Sequence, residues 1–221
     1  MLRAVAFDLD DTLAVTARDR ETLLAEAADR AGVPFDFDRD DYLAAHREHS
    51  GTESRRPVFE ALVDDDAPAL TRAYRAAVGE AMAPIDAAAE TLSRLRQRYR
   101  IGLLTDGPDR TQRDKLRRLG WGECFDAVVV TGAVGAPKPD GDAFAALCTA
   151  LDVAPGETAY VGDDPDRDIV GADAAGLLAV QVTYDGGPAV HPAADASLSR
   201  NELSTLPTLL AELVGDGSDD A

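Results

Sequence analysis

Residues 3–13 read RAVAFDLDDTL, an apolar run that ends abruptly in acidic side chains. The run is short and lacks polar and apolar alternation, which is typical of a strand buried on both faces of a parallel sheet. Asp8 and Asp10 follow directly at its carboxyl end. Because ligands of open α/β sheets bind outside the carboxyl ends of the strands, these two aspartates are candidate functional residues.

The rest of the chain repeats this pattern, with helical stretches between further apolar runs. The runs that predict strands are IGLLT (101–105), AVVVT (127–131), TAYV (158–161) and LAVQV (178–182). Helices are predicted between them, for example one that stops at Gly120, a residue that commonly follows a helix end. Strands that alternate with helices predict an α/β fold with a doubly wound, Rossmann-like parallel sheet.

The segment 15–85 interrupts this alternation. It has no clear strand, and its periodicity predicts helices at 19–31, 39–48, 56–63 and 67–82. We therefore expect two domains. Residues 1–14 and 86–221 form a Rossmann-like catalytic core, and residues 15–85 form an inserted all-helical cap domain.

The net charge and the composition limit which partners the protein can bind. The net charge is −19, and the 22 basic residues are 20 arginines and two lysines, Lys115 and Lys138. Such an acidic chain is unsuited to nucleic acid, which requires a basic face. No apolar run is long enough to span a bilayer, and we expect residues 1–10, which carry two aspartates, not to act as a signal peptide. We expect a cytoplasmic protein with neither nucleic acid nor membrane as a partner. Its acidic, lysine-poor composition resembles that of halophilic proteins.

Polar residues also follow the other predicted strands. Thr105 and Asp106 come after the second strand, a later loop holds Lys138, and GDDPDRD occupies 162–168. Each feature alone is more often a turn or a helix cap. Their joint occurrence in order, at several strand ends, indicates one shared site. Lysine is rare in this chain, which supports a function for Lys138, whereas Lys115 lies beside arginines on a predicted helix and is expected to be only solvated.

The order DLDDT, Thr105, Lys138 and GDDPDRD is similar to the motifs of the haloacid dehalogenase superfamily, phosphatase branch. The resemblance covers residues 1–14 and 86–185, and the insertion resembles the helical cap of the first class in position and helicity. Asp106 departs from the pattern, because many relatives carry Asn there. We expect its carboxylate to point away from the phosphate and to contact the cap.

The resemblance implies a role for each of these residues. Asp8 would attack phosphorus and form an aspartyl-phosphate, which divides hydrolysis into two easier steps. Asp10 would protonate the leaving group and then deprotonate the attacking water. Thr105, Asp106 and Lys138 would form the phosphate-binding group: the Thr105 hydroxyl and the following backbone N–H groups, beginning with that of Asp106, hold the phosphoryl oxygens. Lys138 neutralises charge in the transition state and orients Asp8.

Carboxylates beside a phosphate require a cation, and Mg²⁺ prefers oxygen ligands. By resemblance, the ligands are the Asp8 side chain, the Asp10 backbone carbonyl and the Asp163 side chain. Asp168 would support the site by contacting the residues that bind the metal, or would contact the metal through water. Asp164 is either a further metal-site carboxylate or a helix cap, and we favour the cap.

These residues predict a Mg²⁺-dependent phosphomonoester hydrolase that acts on a small phosphorylated metabolite and exists as a monomer or weak dimer. A sugar phosphomutase of the same superfamily would share the same residues and stays an alternative. A haloacid dehalogenase needs neither the second aspartate nor a metal, so Asp10 argues against it. A non-enzymatic interaction protein on this fold would be expected to lack at least one motif.

Substrate selection is expected to depend on the insertion. Arg18, Arg55 and Arg56 are candidates for contacting an anionic substrate at its non-phosphate end. The competing interpretation, which is slightly favoured, is a solvated loop whose arginines pair with nearby acids.

Overall fold

The structure is a computed structural model that describes residues 1–49, 54–63 and 65–215. The strands are β1 (Ala4–Phe7), β2 (Ala14–Thr16), β3 (Met82–Pro84), β4 (Arg100–Thr105), β5 (Ala127–Val130), β6 (Thr158–Gly162), β7 (Leu178–Thr183) and β8 (Ala196–Ser199). The α-helices are α1 (Arg20–Ala31), α2 (Arg39–His49), α3 (Arg56–Glu60), α4 (Ala67–Ala81), α5 (Ala88–Leu95), α6 (Asp109–Arg118), α7 (Thr131–Val134), α8 (Gly141–Leu151), α9 (Val170–Ala174) and α10 (Leu206–Gly215).

Among the described residues, the main sheet has six parallel strands in the order β5-β4-β1-β6-β7-β8. The chain builds outward from β1 to β4 and β5, then returns to the other side of β1 with β6. The order therefore reverses between β1 and β6, as in Rossmann-like sheets, whose ligands bind outside the carboxyl ends at that point. The predicted fold class is confirmed.

Strand β1 lies inside the sheet between β4 and β6, and both of its faces are covered. Val5 and Phe7 pack into the cluster that contains Leu92 of α5, whereas Ala4 and Ala6 pack on the other face near Phe144 of α8. Successive residues of a strand point to opposite faces, so double coverage requires an apolar residue at every position. This explains the unbroken apolar run. The edge strand β8, of sequence ASLS, was missed because it lacks such a run.

Helices α1 to α4 form a separate hydrophobic core. Leu24, Tyr42, Phe59 and Leu70 are fully buried in it. These helices lie close to their predicted positions, except that α3 ends at Glu60 rather than at 63. The described part of the insertion therefore has its own packed interior.

The expectation that the segment 15–85 contains no strand was wrong. β2 pairs antiparallel with β3, so that Val15 lies opposite Ala83. Each strand has only three residues, too few to produce a recognisable period. The short ribbon joins the two points at which the chain enters and leaves the helical insertion.

Candidate active site

The functional residues predicted from the strand ends meet at one edge of the sheet. Asp8 follows β1, Thr105 ends β4, and Asp163 follows β6. Because β1 is hydrogen-bonded to both β4 and β6, these strand ends are neighbours in space. Parallel pairing thus brings residues more than 150 positions apart into one pocket.

Lys138 lies between two carboxylates in the least exposed part of this site. Its Nζ donates to Asp8 Oδ1 at 2.7 Å and to Asp168 Oδ1 at 2.6 Å. The three side chains are only 3%, 8% and 1% exposed, respectively. Tyr160 Oη lies 3.1 Å from the same Nζ and donates to the Leu104 carbonyl at 3.0 Å. The ammonium is therefore fully partnered by buried oxygens.

These buried charges alter one another's protonation. Burial raises the pKa of Asp8 well above its ordinary value, Asp168 and Asp10 raise it further, and Lys138 opposes them. Burial would lower the pKa of Lys138, but Asp168 and Asp8 outweigh it and the pKa rises. The site thus holds more carboxylates than cations, and Asp8 is difficult to ionise without further positive charge.

Asp163 faces this cluster from the end of β6. Oxygens of Asp8, Asp163 and Asp168 lie within 4.8 Å of one another, and Thr12 Oγ1 donates to Asp163 Oδ1 at 3.2 Å. Burial and the Asp168 charge raise the pKa of Asp163 to about 7. A set of hard carboxylate oxygens with surplus negative charge fits Mg²⁺ in both donor type and charge.

Asp168 and Asp164 shape the turn after β6. Asp168 Oδ2 accepts from the Asp164 backbone N–H at 3.1 Å, while its Oδ1 faces Lys138. Asp164 Oδ1 accepts from the N–H groups of Asp166 and Arg167, both at 3.0 Å, as a helix cap does. The favoured interpretation of Asp164 as a cap thus agrees with its contacts.

The expectation that Lys115 is merely solvated was wrong. Its side chain is 8% exposed, and Nζ lies 2.7 and 2.6 Å from the two carboxylate oxygens of Asp10. One turn earlier on α6, Gln112 Nε2 donates to Asp10 Oδ2 at 2.9 Å and to Thr105 Oγ1 at 2.6 Å. Burial would raise the pKa of Asp10, but Lys115 and Gln112 outweigh it and lower the pKa.

The sequence contained a signal for this pair. Gln112 and Lys115 are three residues apart and share one helix face. The scarcity of lysine that drew attention to Lys138 applied equally to Lys115. The neighbouring arginines Arg113 and Arg117 misled the prediction, because they lie on the exposed side of α6.

The Asp106 carboxylate does not make the predicted contact with the described part of the insertion. Its Oδ1 accepts from the Lys138 backbone N–H at 3.1 Å, and its Oδ2 lies 3.5 Å from Arg167 Nη1. Lys138 lies in the loop after α7, and Arg167 lies in the helical turn after β6. The carboxylate therefore anchors the loop that carries Lys138.

The pocket between the strand ends and the helical insertion has a volume of about 650 Å³. Of the three candidate arginines, Arg55 lines it. Arg18 is paired with Glu26 at 2.6 Å, and exposed Arg56 is paired with Glu60 at 2.6 Å. Pairing with nearby acids therefore describes Arg18 and Arg56, whereas Arg55 has no such partner among the described residues.

Comparisons with known proteins agree with this geometry. A family model of haloacid dehalogenase-like hydrolases matches residues 2–176. The chain is 32% identical to phosphoserine phosphatase of Thermus thermophilus, with 82% of this chain and 88% of the relative covered. It is 31% identical to glyceraldehyde 3-phosphate phosphatase of Methanopyrus kandleri, with 82% and 84% covered. The crystal structure of a HAD phosphatase from Thermococcus onnurineus matches with a TM-score of 0.72 at 26% identity, covering 95% and 98% of the two chains.

A Rossmann-like sheet with clustered carboxylates and a buried lysine at its strand ends fits an enzyme that acts on phosphate esters. The chain belongs to the haloacid dehalogenase-like hydrolases, over a match that includes β1 through α9. Its curated relatives are phosphatases, so the predicted enzyme class, a phosphatase, is confirmed.

Replacing Lys138 tests how strongly the buried charges depend on it. Lys138→Met should lower the free energy of unfolding by about 3–5 kcal/mol, because two buried carboxylates lose their counter-charge. Urea denaturation in EDTA near neutral pH would measure the loss. The double variant Lys138→Met/Asp168→Asn should recover part of it. A loss below about 1 kcal/mol would contradict the importance of this pairing.

Proposed function

We propose that the chain is a Mg²⁺-dependent phosphomonoester hydrolase that works through an aspartyl-phosphate on Asp8. The main supporting observation is the arrangement around Asp8, which contacts Lys138 at 2.7 Å and lies within 4.8 Å of oxygens of Asp163 and Asp168. When bound by the Asp8 and Asp163 side chains and the Asp10 carbonyl, Mg²⁺ supplies the positive charge that offsets the phosphate and the surplus carboxylates.

In the first step, a carboxylate oxygen of Asp8 forms a bond to phosphorus while the bond from phosphorus to the ester oxygen breaks. Asp10 gives its proton to the departing alkoxide. In the second step, Asp10 takes a proton from water, whose oxygen attacks the same phosphorus. The aspartyl-phosphate then splits, which releases inorganic phosphate and restores Asp8.

The residues that contact Asp10 control its protonation in these two steps. Paired with Lys115 and Gln112, Asp10 is held ionised, which suits its role as a base. Its acid role requires a proton, and the charge of an arriving phosphate dianion favours protonation. We therefore assign Lys115 and Gln112 as positioning residues for Asp10, with Gln112 also orienting the Thr105 hydroxyl toward the phosphate site.

The proposed substrate is a small phosphorylated metabolite. The relatives named for phosphoserine and glyceraldehyde 3-phosphate act on molecules of this size. In this enzyme, residues 1–14 and 86–221 would form the catalytic core, and residues 15–85 would form a cap that covers the pocket. The sugar phosphomutase alternative keeps the same first step but returns the phosphoryl group to a sugar.

The proposed setting is a cytoplasm rich in salt, with the protein as a monomer or weak dimer. The net charge of −19 implies strong self-repulsion, which salt screens. In the part of the chain that the structure describes, no helix has the length and apolar character needed to cross a membrane.

The hydrolase proposal is tested with a panel of phosphomonoesters, assayed for phosphate release with Mg²⁺ and with EDTA. Chelation should abolish turnover, and Asp8→Asn should lower kcat by a factor of about 10³ or more, because the nucleophile is lost. Full turnover in EDTA or by Asp8→Asn would reject the mechanism. Interconversion of sugar phosphates with little phosphate release would instead identify a mutase.

The role of Lys115 is tested by its effect on the pH profile. Lys115→Met should lower kcat by about 10- to 100-fold and move the acidic limb of the pH profile to higher pH, because the pKa of Asp10 rises without the ammonium. Lys115→Arg should restore part of the rate. Arg118→Met, which removes an exposed charge from the same helix, is the control. A lower kcat with an unshifted acidic limb would leave Lys115 only a structural role.

Salt dependence is tested by thermal melting. The melting temperature should rise between about 0.1 M and about 2 M KCl, because added ions screen repulsion among the surplus acids. Melting temperatures that fall across this range would contradict salt adaptation.

A further inference from the structure

Five arginines of the described residues are partly buried, and they differ in how their charge is balanced. Three have carboxylate partners: Arg18 with Glu26 at 2.6 Å, Arg75 with Asp114 at 3.6 Å and Arg200 with Asp11 at 3.6 Å. Arg20 and Arg55 have no such partner among the described residues. The other arginines without an ion pair in the described chain are all exposed.

Both unpaired arginines line the pocket from the helical insertion. Arg20 opens α1, and its guanidinium carbon lies 5.5 Å from the centre of the buried Tyr42 ring. Its Nη1 donates to Tyr74 Oη at 3.4 Å. Arg55 precedes α3 and has no hydrogen bond from its side chain to a described residue.

His46 lines the same pocket as these two arginines. Burial and the cations Arg55, Arg20 and Arg167 lower the pKa of its imidazole to about 4. A neutral imidazole leaves the positive charge of the two arginines unchanged and can still donate a hydrogen bond to an anion.

The pocket is lined by carboxylates and two lysines from the core, whereas its partly buried arginines without an acidic partner in the described chain come from the insertion. Exposed Arg110 of α6 lines the pocket as well. A partly desolvated guanidinium without a counter-ion is unfavourable, and this chain has 41 acidic residues from which a partner could be drawn. Because neither arginine has an acidic partner among the described residues, their guanidinium donors can bind an anionic ligand.

We propose that Arg20 and Arg55 form an anion subsite opposite Asp8, so that the substrate carries a second anionic group, a carboxylate or a second phosphate, besides the phosphate that is cleaved. Guanidinium groups suit both anions because their paired N–H groups match carboxylate and phosphate oxygens. This substrate class rests on the proposed hydrolase function.

The test compares matched esters that differ in the second anion. For the carboxylate, 3-phosphoglycerate is compared with glycerol 3-phosphate. For the second phosphate, fructose 1,6-bisphosphate is compared with fructose 1-phosphate. The wild type should prefer the doubly anionic member of at least one pair by about tenfold or more in kcat/KM. The pair that shows this preference identifies the second anion.

The variants then assign the preference to the arginines. Arg55→Ala and Arg20→Ala should each raise KM for the doubly anionic ester about 10- to 100-fold and change the other ester less than about threefold. Arg55→Lys should keep part of the preference. Arg56→Ala is the matched control, because Arg56 is adjacent in sequence, exposed and paired with Glu60.

Two outcomes would overturn the subsite. One is no preference for the doubly anionic ester in either pair. The other is an equal loss for both members of a pair, which would mean that the arginines bind the cleaved phosphate or only balance the catalytic aspartates. If no ester is hydrolysed, the hydrolase proposal fails, and calorimetric binding of the same esters to Asp8→Asn and Asp8→Asn/Arg55→Ala still tests the subsite. Equal affinities of these two proteins for 3-phosphoglycerate and for fructose 1,6-bisphosphate would overturn it.

Discussion

The ion cluster of Asp8, Lys138 and Asp168 connects three segments that are distant in sequence. Asp8 follows the central strand, Lys138 comes from the loop after α7, and Asp168 lies in the turn after β6. Buried charges are tolerated only when they are paired and hydrogen-bonded, so the three backbones must stay in register. The close approach also requires Gly162, since a Cβ there would lie 2.4 Å from Asp168 Cγ. The need to keep these buried charges paired thus fixes the geometry around the proposed nucleophile Asp8.

This cluster contains two carboxylates and one ammonium, so its charges are not balanced, and the rest of the pocket contributes further charged groups. Asp163 adds another carboxylate whose pKa lies near 7, so the core side of the pocket attracts cations. The insertion side contributes Arg20 and Arg55, the proposed anion subsite. In the proposed complex of a phosphate ester and its metal ion, each end would meet the opposite charge.

The amino-acid sequence was most informative about strands with two buried faces and about the residues at their carboxyl ends. The apolar runs predicted the central strands, because a strand covered on both faces tolerates little else. The strand ends then predicted where Asp8, Thr105 and Asp163 would gather. Side-chain partners across the pocket could not be predicted in this way. Lys115 and Arg113 look alike in sequence, yet only Lys115 faces Asp10, because of the rotation of α6.

The contacts of Asp106 and the short ribbon of β2 and β3 were unpredictable for a related reason. Each depends on how a few residues meet a distant segment, and so few residues show no period. Arg55 and Arg56 illustrate the limit at single-residue resolution. They are adjacent and chemically identical, but one lines the pocket and the other is held by Glu60 on the surface.

The two lysines described above have a consequence for the chemistry of the whole protein. Both ε-amines are buried beside the aspartates of the candidate active site. A protein surface normally offers many lysines to acetyl donors, aldehydes and crosslinking reagents, whereas both lysines of this sequence are buried. Acylation of a lysine side chain in this protein therefore either alters the candidate active site or does not occur.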